Sequence, residues 1–160
     1  MFLYLVQHAD AKKEEEDSLR PLSERGLKDI SNIASYVSQL NIKVCKIFHS
    51  TKLRARQTAE VLFEKLKPIG GTSEIDGLSP LDDPQIWTER LKDISDDLFL
   101  VGHLPHLGRL ASQLLCGNAD KNSIAFKMGG IVCLKRDDIG TWSLQWMLTP
   151  EIIVGAKEKI

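Results

Sequence analysis

Residues 1–10 read MFLYLVQHAD. Phe2 to Val6 is a run of apolar and β-forming residues, and the chain turns polar directly after His8. A short, nearly continuous apolar run of this kind reads as a strand buried on both faces, as in parallel sheets covered by helices. The same pattern returns as DLFLVGH, residues 97–103, a second strand that ends on a histidine, His103.

Strand and helix alternate between and beyond these two segments. Ala9 to Leu22 is polar and charge-rich and reads as a long loop. Ser23 is placed to cap a helix in which Ile30, Ile33, Ala34, Val37 and Leu40 recur at helical spacing. KVCKIF (43–48) is a strand, and a helix from Leu53 to Leu66 follows, with Ala59, Leu62, Phe63 and Leu66 on its apolar face; KPIGG stops it. After an extended piece around SEIDG and the loop LSPLDDP, Trp87, Leu91 and Ile94 predict a third helix. Pro105 suits the first turn of a fourth, whose apolar residues are Leu104, Leu107, Leu110, Ala111 and Leu114. IVCLKR and TWSLQWM, joined by DDIG, read as a β-hairpin, and the final VGAKEKI as a frayed tail. The expected fold is a three-layer αβα sandwich with a mostly parallel central sheet, one domain over residues 1–150 and a C-terminal tail over 151–160.

The 160 residues are enough for one domain with its own core. A formal net charge of −1 gives no electrostatic argument for binding nucleic acid or an anionic membrane. No apolar stretch approaches the roughly 20 residues that span a bilayer, and the short N-terminal run lacks the basic segment of a signal peptide. A cytoplasmic monomer is expected. Cys45, Cys116 and Cys133 have neither disulfide nor metal-site spacing; Cys45 and Cys133 lie in strand-like runs and read as buried packing thiols.

In sheets of this type ligands bind beyond the carboxyl ends of the strands. His8 and His103 both stand at such ends, and HSTKLRARQT follows a third strand there. A neutral imidazole is a nucleophile near pH 7, and a second histidine with an arginine can hold the equatorial oxygens of a transferring phosphoryl group. That chemistry requires no cofactor and no metal.

LVQHADA resembles the LVRHGEA signature of the histidine phosphatase superfamily, whose fold is phosphoglycerate mutase-like. HSTKLRARQTAE resembles its second block, SPLxRAxQTA, and LVGHLPHLGRL its third. RPLSERGLKDI resembles the RPLTxxG segment of the small members, so four blocks stand in order across residues 1–150, with the greatest likeness to SixA-type phosphohistidine phosphatases. The resemblance implies that His8 is the transiently phosphorylated nucleophile, Arg54 the phosphate-clamping arginine and His103 the second pocket histidine. Leu104 would offer its backbone N–H to the phosphate, Ser50 a hydrogen bond within the pocket, and Arg20 would either hold its loop or reach the phosphate. Arg56, two residues from Arg54, is expected to face solvent, and His106 to lie on a helix surface.

Two departures stand out. Gln7 replaces the arginine of the pattern, exchanging a charge-assisted donor for a neutral amide, and Ala9 replaces glycine. Gln7 is therefore expected to hold phosphate less tightly. Sugar-phosphate members supply a general acid from an insertion between the second and third blocks, and this chain has only IDGLSPLDDPQIW there. Asp10, Asp82 and Asp83 are the candidate proton donors, Asp82 and Asp83 also being a helix-start signal. Phosphohistidine makes a weaker demand, because imidazole leaves more readily than an alkoxide. The resemblance thus implies a phosphatase acting on a phosphohistidine-bearing protein, such as a phosphotransfer domain. A general phosphomonoesterase acting on small phosphate esters, or a catalytically weak phosphate-binding module, are the alternatives. Glu14, Glu15, Glu16 and Asp17 make the loop after His8 acidic: either a solvated loop, or a surface that repels polyphosphorylated small molecules and attracts a basic protein.

Overall fold

Tyr4 and Val6 of the first strand enter one hydrophobic cluster, while Leu3 and Leu5 enter another. The two-residue period of a strand therefore feeds both faces of the sheet at once. In the computed structural model, which describes residues 1–157, six strands form a single sheet in the order β3-β2-β4-β1-β5-β6. They are β1 (Phe2–Gln7), β2 (Lys46–His49), β3 (Thr72–Glu74), β4 (Leu98–Gly102), β5 (Ile131–Arg136) and β6 (Trp142–Leu148). β3, β2, β4 and β1 run parallel; β5 is antiparallel to β1 and to β6.

The helices α1 (Glu24–Ser38), α2 (Leu53–Leu66) and α5 (Pro150–Lys157) cover one face. α3 (Gln85–Arg90) and α4 (His106–Cys116) cover the other. Phe99 and Val101 of β4 join the first layer and Leu98 and Leu100 the second, so β1 and β4 are the buried centre of the sandwich. The expected three-layer α/β architecture with a mostly parallel sheet is the observed one.

The cap of α1 is as expected: the Ser23 hydroxyl accepts from the Gly26 N–H at 3.0 Å. Four local expectations are corrected. The second strand begins at Lys46 rather than Lys43. Cys45 precedes it, its N–H bonded to Asp97 O and its carbonyl to Gly70 N–H, and is half-buried, whereas Cys133 is buried as expected. The tail is helical from Pro150 to Lys157, and Ile153, 2% exposed, packs into the α1 side of the core. Only the last three residues of the expected frayed tail lie outside the described residues. His106 is fully buried instead of on a helix surface. Among the described residues no helix is long and apolar enough to cross a membrane.

Candidate active site

The register of the three central strands assembles the site. His8 N–H donates to Gly102 O at 3.0 Å, and Ser50 N–H donates to Val101 O at 3.1 Å, each carrying its ladder one step past the strand end. His8, Ser50 and His103 therefore emerge side by side at the carboxyl edges of β1, β2 and β4. All three are buried, at 9%, 1% and 2% exposure. The two imidazole rings lie 5.1 Å apart between centroids, and Ser50 Oγ is 2.5 Å from His103 Nε2.

His8 Nδ1 lies 2.7 Å from the carbonyl of Ala9. A carbonyl only accepts, so Nδ1 carries the proton and the neutral ring keeps its lone pair on Nε2. Arg54 approaches that nitrogen from the first turn of α2, with its Nε donating to His8 Nε2 at 3.3 Å. Burial is the main cause that lowers the His8 pKa to about 4, and the cations Arg54 and Arg20 reinforce it. His103 is held down to about 3, again chiefly by burial, with His8, Arg54 and Lys52 adding to the effect. Both rings are neutral at pH 7.

Two polar residues of α2 fix this arrangement, and the sequence reading passed over both. Thr58 Oγ1 accepts from the Ala9 N–H at 3.0 Å and donates to Arg54 O at 2.7 Å. Gln57 Oε1 accepts from the Leu22 N–H at 2.8 Å and so holds the end of the long loop. The signal was the QT pair within RARQTAE, read as part of a helix rather than as two anchors. His49, buried beside the site with Nδ1 donating to Ser50 O at 2.8 Å, was also missed.

Of the two roles open to Arg20, holding its loop is the one with a direct contact. Arg20 stands at φ 49°, its Nε donates to Lys12 O at 3.2 Å, and its charge lowers the pKa of both His8 and Arg54. Arg20, Lys52, Arg54 and Arg56 line one cleft of about 630 Å³, with Glu14 on its rim. Arg56 is half-exposed and also pairs with Glu60 at 3.4 Å. Leu104, beside His103, is 39% exposed. A larger cleft, about 810 Å³, surrounds Met1, Arg136 and Trp142 and contains none of these residues.

Each candidate proton donor accepts a local hydrogen bond through one of its oxygens. Asp10 Oδ2 accepts from the Ser23 hydroxyl at 2.5 Å, Asp82 Oδ2 from Ser79 N–H at 2.8 Å, and Asp83 Oδ1 from Gln85 N–H at 2.9 Å. Each fastens a turn or a helix start. In the acidic loop, Glu16 accepts from Lys13 N–H and Asp17 from Leu19 N–H, so two of its four carboxylates also stabilise local turns. Gln7, the last residue of β1, accepts from Gly129 N–H through its backbone, while its side-chain Oε1 is buried without a partner. Ala9 is fully buried and its φ is not positive, so its backbone makes no demand for the glycine of the pattern. Among the described residues no group of three or more His, Cys, Asp or Glu side chains is arranged to hold a metal.

A neutral imidazole with a fixed tautomer, a second buried histidine and an arginine at adjacent strand tips of an αβα sandwich are the groups that the histidine phosphatase signature implies, gathered at one place. An uncharacterized protein of Picosynechococcus sp. is 34% identical over 143 residues, covering 84% of this chain and 85% of that protein. The phosphohistidine phosphatase SixA of Escherichia coli is 23% identical over 155 residues, 94% of each chain. A solved structure of the protein histidine phosphatase SixA complexed with tungstate matches with a TM-score of 0.85 at 23% identity, over 96% of this chain and 99% of that one. No protein-family model matches. The chain is thus a homologue of SixA and shares the fold of the histidine phosphatase structures.

Proposed function

We propose that this protein is a phosphatase that removes the phosphoryl group from phosphohistidine on a protein, by way of a phosphorylated His8. The observation that carries the reading is the state of His8. Its ring is neutral, its Nδ1 proton is committed to the Ala9 carbonyl, and its Nε2 lone pair faces the guanidinium that would hold an anion.

In the first step His8 Nε2 attacks phosphorus in line, and the bond between phosphorus and the substrate imidazole breaks. The departing ring nitrogen takes its proton from water. Arg54 and His103 bear on the equatorial oxygens, Ser50 orients His103, and the Leu104 N–H adds a donor. In the second step water attacks the phosphorus of phospho-His8, releasing orthophosphate and restoring the free ring. Asp10, Asp82 and Asp83 each accept a local hydrogen bond, which favours a leaving group that needs little protonation. The reading includes a cytoplasmic, monomeric enzyme that uses no metal.

The test is phosphate release from a phosphohistidine protein and from a panel of sugar phosphates, by the native protein and by His8→Ala. Release from the phosphoprotein that vanishes in the variant, with little turnover of the esters, is expected. Preferential turnover of the esters would instead establish a phosphomonoesterase. Absence of acid-labile phosphate on His8 after exposure to substrate would establish a binding module.

A further inference from the structure

Position 7 lacks a cation, and position 52 has one that forms no ion pair among the described residues. Gln7 ends β1 beside the nucleophile with its side-chain oxygen buried and unpartnered, where the family signature carries arginine. Lys52 stands at the N-terminal boundary of α2, in the place where the SPLxRAxQTA block has leucine. A positive charge there opposes the helix dipole, and α2 has no acidic residue in its first turn to offset it. Among the described residues Lys52 makes no ion pair, whereas the neighbouring Arg56 pairs with Glu60.

Lys52 is nonetheless held at the site. Its backbone N–H lies 3.4 Å from Ser50 Oγ, the same hydroxyl that contacts His103. Lys52 lines the cleft shared by Arg20 and Arg54. Its charge is felt at the His103 ring, where it opposes protonation. An exposed cation on an unfavourable helix end, in one cleft with Arg20 and Arg54 and within electrostatic reach of the neutral His103 ring, is stabilised when an anion arrives.

We infer that Lys52 is a phosphoryl-binding residue that supplies, from the tip of β2, the charge that Gln7 withholds at the tip of β1. The inference rests on the phosphatase reading of the site. It makes the two departures from the family pattern a matched pair: one cation lost and one gained around the same oxygens.

The experiment is calorimetric titration of inorganic phosphate into the native protein, Lys52→Leu, Lys52→Arg, Gln7→Arg, the double variant Gln7→Arg with Lys52→Leu, and Lys65→Leu. Lys65 lies in the last turn of α2, so its loss gives the same change in net charge away from the site. Loss of one charge-assisted hydrogen bond predicts a Kd about tenfold weaker for Lys52→Leu. Lys52→Arg and Lys65→Leu should stay close to the native value, Gln7→Arg should tighten binding, and the double variant should return to it. A Kd for Lys52→Leu equal to the native one, or an equal loss in Lys65→Leu, would overturn the inference while leaving the phosphatase reading in place. A native protein that binds no phosphate would remove both.

Discussion

Replacing His106 by leucine is expected to stabilise the protein, and to stabilise it more as the pH falls. The ring is fully buried at the start of α4, and neither Nδ1 nor Nε2 has a hydrogen-bond partner. Leaving such groups unpaired costs about 1–3 kcal/mol, and leucine of similar size removes that cost at neutral pH. Burial lowers the His106 pKa from 6.5 to about 4; Asp82 and Asp83 pull it back and Arg109 pushes it further down. In the unfolded chain the ring takes a proton near its ordinary value, so below pH 6.5 the unfolded state binds a proton that the folded state refuses. The native protein therefore keeps its full stability above that pH and loses it as the pH falls toward 4. By proton linkage the loss from this one residue is about 3 kcal/mol. Leucine has no such term; His8 contributes equally to both proteins, and loss of His106 also removes one of the charges that lower the His103 pKa, which widens the gap in the same direction. Urea unfolding followed by tryptophan fluorescence should thus give an advantage of about 2 kcal/mol to His106→Leu at pH 7.5. The advantage should grow by a further 2–3 kcal/mol or so at pH 4.5. A gap between the two proteins that stays constant with pH, or a variant less stable at pH 7.5, would refute the reasoning.

Two other substitutions probe the scaffold. Thr58→Val keeps the shape of the side chain but strands the buried Ala9 N–H; a loss of about 1–3 kcal/mol in stability is expected, together with a fall in kcat on a phosphohistidine protein, both measured on the same preparation. Gly26→Ala would place a Cβ 2.0 Å from the Asp10 carbonyl oxygen, so the loop that follows His8 must move off α1. A drop of more than about 3 kcal/mol in denaturant unfolding is expected, and a variant that unfolds with the native midpoint would contradict the packing described for Asp10, Ser23 and Gly26.

The centre of the sheet and the two histidine tips were legible because a buried parallel strand declares itself twice, by its apolar run and by the abrupt polar residue that ends it. Helix α2 was placed to the residue, since its apolar spacing and the proline–glycine stop agree. His106 was misplaced for a physical reason. Helical spacing marks the side of α4 that meets the sheet, through Leu107, Leu110 and Ala111, but carries no information about what else covers the helix. The carboxylates of Asp82 and Asp83, distant from it in sequence, act on the buried ring of His106. Helix α5 was overlooked although Thr149-Pro150-Glu151 is a helix-start sequence, with Ile152 N–H donating to Thr149 O at 3.1 Å. Its brevity hid Ile153, which packs into the core. Thr58 and Gln57 were passed over because a polar residue in a helix says nothing of its partner until the loops are in place.

The double attachment of α2 has a mechanical consequence. Through Thr58 it grips the backbone that carries His8, through Gln57 it grips the end of the segment that carries Arg20, and Arg54 rides on its own first turn. Small thermal displacements of that helix therefore carry Arg54 together with the backbone next to His8 and the end of the Arg20 segment, and the spacing among these groups survives vibration that would blur a pocket assembled from independent loops.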